Sequence, residues 1–136
     1  MAPTMPPVEQ QQGTILVVDD DPTILEFVSG LLVDGDYHVL TASSGAAALQ
    51  QSREYKGEIH LLLSDFQMPA MSGIELATQM CVDRPQLKVL MMSGFTGGML
   101  VLNDGWHFLA KPFVPSQLRA LILGLVFPDR GFKFSN

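Results

Sequence analysis

Apolar residues fall in short runs that stop abruptly on charged or turn-forming positions. Residues 14–18, TILVV, are a β-branched run that ends on Asp19, Asp20, Asp21 and Pro22. The run lacks polar alternation, as expected for an inner parallel strand covered on both faces. Pro22 stands where a helix would begin, with Asp21 as its cap. Ile24, Phe27, Val28 and Leu31 then read as one helical face, closed by Asp-Gly-Asp at 34–36. A second strand is predicted over 37–42. Ser43-Ser44-Gly45 caps a helix that runs to Tyr55, and Lys56-Gly57-Glu58 is a turn. A third strand is predicted over 59–65. After Ser72-Gly73 the pattern is helical as far as Asp83-Arg84-Pro85. A fourth strand is predicted over 87–94 and a fifth within 106–113. A last helix follows from Pro115, with Leu118, Leu121, Ile122 and Leu125 at core spacing. Strand and helix alternate five times, which predicts an α/β fold: a parallel sheet with helices on both faces.

Composition narrows the class. The 136 residues are 47% hydrophobic and 16% charged, enough apolar material for one folded domain. The net charge of −6 argues against nucleic-acid binding, which needs clustered Lys and Arg. No apolar run is long enough to span a membrane, and the start of the chain is not a signal peptide. A single cysteine, Cys81, excludes an internal disulfide and reads as packing in a helix. A cytoplasmic protein is expected, with a Pro/Gln-rich arm over 1–13, a folded domain over 14–127 and a tail over 128–136.

In such a sheet, ligands bind beyond the carboxyl ends of the strands. The first strand delivers Asp19, Asp20 and Asp21 there, the third Asp65, the fourth Ser93 and the fifth Lys111. Carboxylates held close together repel, so either a proton or a cation must join them. Hard oxygen ligands suit Mg2+, and the absence of His and Cys from these strand ends argues against zinc. A carboxylate beside a metal, an ammonium and a hydroxyl suits a phosphoryl group, with Asp65 as nucleophile. Asp21 is better explained as a helix cap. His38, His60 and His107 share no spacing that suggests a metal site or a phosphohistidine. Trp106 and Phe108 alternate around His107 and should share a face.

The motifs ILVVDDDP, LLLSDFQMPAMSG, VLMMSG and FLAKPF, in this order, resemble the response regulator receiver domain of two-component signalling. The wording of the third and fourth is most similar to receivers attached to, or working with, hybrid histidine kinases. The resemblance implies a doubly wound (βα)5 sheet of flavodoxin-like order 2-1-3-4-5. It implies that Asp65 is the phosphoacceptor and that the chain is a switch, not a turnover enzyme. Asp20 and Asp65 would bind Mg2+ directly, Asp19 through water, and Gln67 through its backbone carbonyl. Ser93 and Lys111 would hold the phosphoryl group. Gln67 and Phe95 would tune its lifetime, and the Lys111–Pro112 bond would be cis. Phe108 aligns with the aromatic switch position; a packed core aromatic is the equal alternative. The phosphodonor would be a sensor histidine kinase or a histidine phosphotransfer protein, docking on the first helix through Leu25, Val28 and Leu32.

Two departures stand out. Residues 94–106 leave room only for a short fourth helix, weakened by Gly97-Gly98, so a conventional dimer through that face is in doubt. The last helix is apolar nearly all round. Leu123 and Phe127 fall outside its core stripe and suit a partner or a weak homodimer, with end-of-domain packing as the alternative. Three other readings compete. A Mg2+-dependent phosphohydrolase wants an acid at the position of Gln67. A non-signalling interaction module would not need the full residue set. A nucleotide-binding protein wants a Gly-rich loop after the first strand.

Overall fold

The structure, a computed structural model, describes residues 13–94 and 106–127. The strands are β1 (Thr14–Val18), β2 (His38–Ala42), β3 (Leu61–Asp65), β4 (Lys88–Ser93) and β5 (Trp106–Ala110). Among the described residues there are four helices: α1 (Pro22–Asp34), α2 (Gly45–Glu54), α3 (Gly73–Asp83) and α4 (Pro115–Val126). All neighbouring strands pair in parallel, in the order β2-β1-β3-β4-β5. The short helix expected between β4 and β5 falls on 95–105, outside the described residues, as do 1–12 and 128–136.

Every residue of β1 is buried, which is why its sequence shows no alternation. Ile15 and Val17 join a core cluster with Val28 and Leu32 of α1 and Leu118 and Ile122 of α4. Leu16 and Val18 join the opposite cluster, with Ala48 and Leu49 of α2 and Leu76 and Met80 of α3. The period of two sends alternate side chains to two apolar layers. Each fully buried Leu, Ile or Val contributes about 1.5–3 kcal/mol, so the inner strands supply much of the stability.

The helix starts follow local chemistry. The Asp21 carboxylate accepts from the Thr23 N–H at 2.9 Å, and Pro22 opens α1. The Ser44 hydroxyl accepts from the Ala47 N–H at 3.1 Å. Ser72 and Glu75 form a reciprocal capping box on α3.

Two expectations about helix faces are corrected. Phe27 is 47% exposed and does not share the core face of α1. At 100° per residue, Ile24, Val28, Leu31 and Leu32 centre on one direction, and Phe27 lies roughly a right angle away. The proposed docking patch of Leu25, Val28 and Leu32 is likewise not a surface. Val28 and Leu32 are buried in the core and Leu25 packs against it. On α4, Phe127 stacks on Tyr37 with ring centroids 6.3 Å apart, which is end-of-domain packing, while Leu123 stays exposed.

Candidate functional site

Three chain segments bring charge to the carboxyl rim of the sheet. Asp19 directly follows β1, is fully buried, and is held by its N–H donating to the Ala42 carbonyl at 3.3 Å. Its carboxylate accepts from the Asp21 N–H at 2.9 Å through Oδ1, and from Lys111 Nζ at 3.1 Å through Oδ2. Asp20, the next residue, is exposed. Asp65 ends β3 with its side chain 14% exposed, and its Oδ1 accepts from the same Lys111 Nζ at 3.2 Å. Lys111 follows β5, and its N–H donates to the Ser93 carbonyl at 2.7 Å. The Lys111–Pro112 bond is cis.

Carboxylate oxygens of Asp19, Asp20 and Asp65 lie within 4.8 Å of one another. At that separation, two full charges repel by about 3 kcal/mol at an effective dielectric of about 20. Three carboxylates face one ammonium, so negative charge is left uncompensated. Burial, and then the Asp19 charge, push the Asp65 carboxyl above the ordinary carboxylate value of 3.8; Lys111 opposes the shift without cancelling it. Burial alone would lower the Lys111 ammonium, but the hydrogen bond and attraction of Asp19, with those of Asp65, hold it above 10.5. Lys111 therefore stays charged at neutral pH. An all-oxygen acidic cluster with an excess of negative charge fits a hard divalent cation such as Mg2+.

The loop after Asp65 is built tightly. The Phe66 N–H donates to Met92 O at 2.7 Å, and the Phe66 carbonyl accepts from the Gly73 N–H at 2.9 Å. A Cβ on Gly73 would lie 2.3 Å from the Asp65 carbonyl oxygen, so only glycine fits there. The Met71 N–H reaches back to Pro69 O at 2.7 Å, which leaves Ala70 at the centre of a γ-turn with φ 70°. The Ser64 hydroxyl donates to the Asp65 carbonyl at 2.9 Å. Sequence reasoning missed Ala70, the capping-box role of Glu75 and the hydroxyl of Ser64. The last had a signal: a lone polar residue inside an apolar strand, directly before the acid.

The remaining expected residues are placed as follows. Ser93, at the end of β4, is buried and pairs in register with Ala110. Gln67 is exposed in the loop. Trp106 and Phe108 both pack against the apolar layer under α2 and α3, on one face as expected, and His107 is exposed. His38 stacks on Tyr55, and His60 Nδ1 accepts from the Thr14 N–H at 3.0 Å. Neither belongs to the acidic cluster. Burial raises the Cys81 thiol above its ordinary value, with Trp106 opposing, so it is not poised as a nucleophile. Phe95 lies outside the described residues.

The family model described as the response regulator receiver domain matches residues 15–123. Among curated proteins, the chain is 36% identical over 111 residues to the two-component response regulator ORR24 of Oryza sativa subsp. indica. That match covers 79% of this chain and 18% of the relative, so the chain spans about a fifth of its length. Among solved structures, the receiver domain of the hybrid histidine kinase CckA is 30% identical with a TM-score of 0.76, covering 84% of this chain and 99% of that one. The response regulator TrrA of Thermotoga maritima, solved in complex with Mg2+-BeF, is 27% identical with a TM-score of 0.73; the match covers 84% and 99% of the two chains.

Proposed function

Since the chain belongs to the response regulator receiver domain family, we propose that Asp65 accepts a phosphoryl group from the phosphohistidine of a partner. The observation that carries the reading is the Lys111 ammonium, which lies 3.1 Å from Asp19 and 3.2 Å from Asp65 at the rim where Asp20 also converges. In the transfer, an Asp65 carboxylate oxygen forms a bond to phosphorus. The bond from phosphorus to the imidazole nitrogen breaks, and its electron pair stays on that nitrogen. Asp20 and Asp65 would hold Mg2+ directly, Asp19 through water, and Gln67 through its backbone carbonyl. The cation supplies charge neutralisation for the phosphoryl oxygens. Lys111 binds one of those oxygens, and the Ser93 hydroxyl another. Phe108 follows Ser93 as the switch, or stays a packed aromatic; its half-buried place beside Trp106 suits either.

In this reading the chain is a switch that assists only its own phosphorylation and dephosphorylation. Its partner is a sensor histidine kinase or a histidine phosphotransfer protein in the cytoplasm. A weak homodimer would rest on Leu123, since Phe127 is engaged with Tyr37. The test is incubation with acetyl phosphate and Mg2+, followed by intact mass. One added phosphoryl mass is expected, absent from Asp65→Asn. No added mass, or mass that survives this substitution, refutes the proposal. Catalytic turnover of a phosphate ester would instead favour a phosphohydrolase, against which Gln67 stands where such enzymes want an acid.

A further inference from the structure

The strand that delivers Asp65 carries a hydroxyl where all of its other residues before the acid are apolar. Ser64 is fully buried and lies in register with Val18 on one side and Met91 on the other, both members of the apolar layer under α2 and α3. A hydroxyl in such a place costs about 1–3 kcal/mol unless it is bonded, so its partner decides why it is there.

The hydroxyl has one defined task. Ser64 Oγ donates to the Asp65 carbonyl oxygen at 2.9 Å. That same oxygen stands against Gly73, so close that a Cβ would come within 2.3 Å. The Phe66 N–H, on the same peptide, donates to Met92 O at 2.7 Å. The peptide that follows Asp65 is therefore held from three directions, and Ser64 is the only one of the three that acts through a side chain.

We propose that Ser64 is a positioning residue for phosphoryl transfer. By fixing the carbonyl of Asp65, it sets the peptide plane at that Cα, and so the direction in which the carboxylate leaves the strand toward Lys111. The inference rests on Asp65 being the phosphoacceptor. A small misplacement of a reacting group costs rate steeply, because the near-attack geometry is lost.

The test compares the parent chain with Ser64→Ala and Ser64→Thr. Phosphorylation is followed by intact mass across acetyl phosphate concentrations at saturating Mg2+, with Mg2+ affinity measured separately by calorimetry. Ser64→Ala should lower the limiting rate about tenfold, while half-saturation and Mg2+ affinity stay within about twofold. Ser64→Thr, which keeps the hydroxyl, should recover most of the rate. A limiting rate in Ser64→Ala equal to the parent's overturns the inference. So does a loss explained by weaker Mg2+ binding, or one that threonine does not recover. If Ser64→Ala does not fold, the near-isosteric Ser64→Cys, a weak donor, carries the comparison and should lose rate in the same way. A parent that takes no phosphoryl group brings down the phosphoacceptor reading and this inference with it. A parent that is phosphorylated alongside an equally fast Ser64→Ala brings down this inference alone.

Discussion

Gly73 gives the most direct link between the fold and the site. It opens α3, and its backbone lies against Asp65, the proposed phosphoacceptor. Gly73→Ala adds one methyl group, and that methyl would sit 2.3 Å from the Asp65 carbonyl oxygen, 3.2 Å from the carbonyl carbon and 2.9 Å from Met91 Sδ. The sulfur is the end of a flexible side chain and can move. The carbonyl oxygen cannot move freely, because Ser64 Oγ holds it and the Phe66 N–H anchors the same peptide to Met92. Relief of an overlap of roughly 1 Å must then come from the first turn of α3 or from the Asp65–Phe66 peptide.

Overpacking of this kind costs about 1–3 kcal/mol. The bond from the Gly73 N–H to the Phe66 carbonyl stretches as α3 moves, which adds about 1 kcal/mol. Alanine's helix propensity returns about 1 kcal/mol at most, and less in a first turn. The net expectation is a loss of about 1–3 kcal/mol, read as a lower urea midpoint with unchanged slope. Phosphorylation by acetyl phosphate should fall by more than the folded fraction falls, because the displaced residue is the proposed acceptor. A Gly73→Ala chain as stable as the parent, and phosphorylated as fast, would refute the close approach on which this reasoning stands.

Three more outcomes follow from the same geometry. Arg84 donates to Ser52 Oγ at 3.0 Å and to the carbonyls of Ser52, Tyr55 and Gly57 at 2.8–2.9 Å, closing the end of α2. Arg84→Ala should cost about 2–3 kcal/mol in urea unfolding, and Arg84→Lys should recover less than half, since one ammonium cannot span the fork. Ala70→Gly should stabilise by about 0.5–1 kcal/mol, because relief of the left-handed backbone exceeds the entropy that glycine adds to the unfolded chain; a destabilised variant contradicts the γ-turn. Without divalent cations, the raised Asp65 carboxyl favours folding when protonated, so its contribution is present below 3.8 and lost as pH rises through the folded value. Asp65→Asn should then be more stable than the parent at pH 7 in EDTA, with a flatter pH profile over the acid side; equal stability at pH 7 would show that Lys111 fully compensates the charge.

Much of this was legible in the sequence because strand ends are the most constrained points of a parallel sheet. TILVV followed by DDDP, and LLLSD followed by QMP, locate both the strands and the acids that leave them, since an apolar run covered on both faces can end on charge only at the rim. What stayed hidden depends on three-dimensional neighbours. Phe27 reads as core by spacing alone, yet the stripe that meets the sheet is centred on Val28 and Leu32. Arg84 looks like a helix-end charge, and nothing in the sequence announces that its partners lie some thirty residues earlier. Phe127 could have faced solvent; Tyr37, distant in sequence, covers it. Local rules place the elements and the charged side chains of the rim, and long-range contacts decide how the remaining apolar and basic residues are engaged.

The two carboxylates that share Lys111 are not equivalent, and their difference bears on the proposed phosphoryl transfer. Asp19 is fully buried and held by two bonds, from the Asp21 N–H and from Lys111 Nζ. Asp65 is partly accessible, and Asp20 beside it is exposed. In the proposed transfer, an esterified Asp65 would no longer hold the ammonium as before. The bond to Asp19 would remain, and it would keep Lys111 at the rim beside the proposed phosphoryl group. Asp19 thus does two things: it helps raise the Asp65 carboxyl, and it anchors the Lys111 ammonium. The repulsion stored among the acids is a cost to the empty fold. That cost is relieved when a hard cation binds, so the same charges that destabilise the resting chain make its ligated state the more stable one.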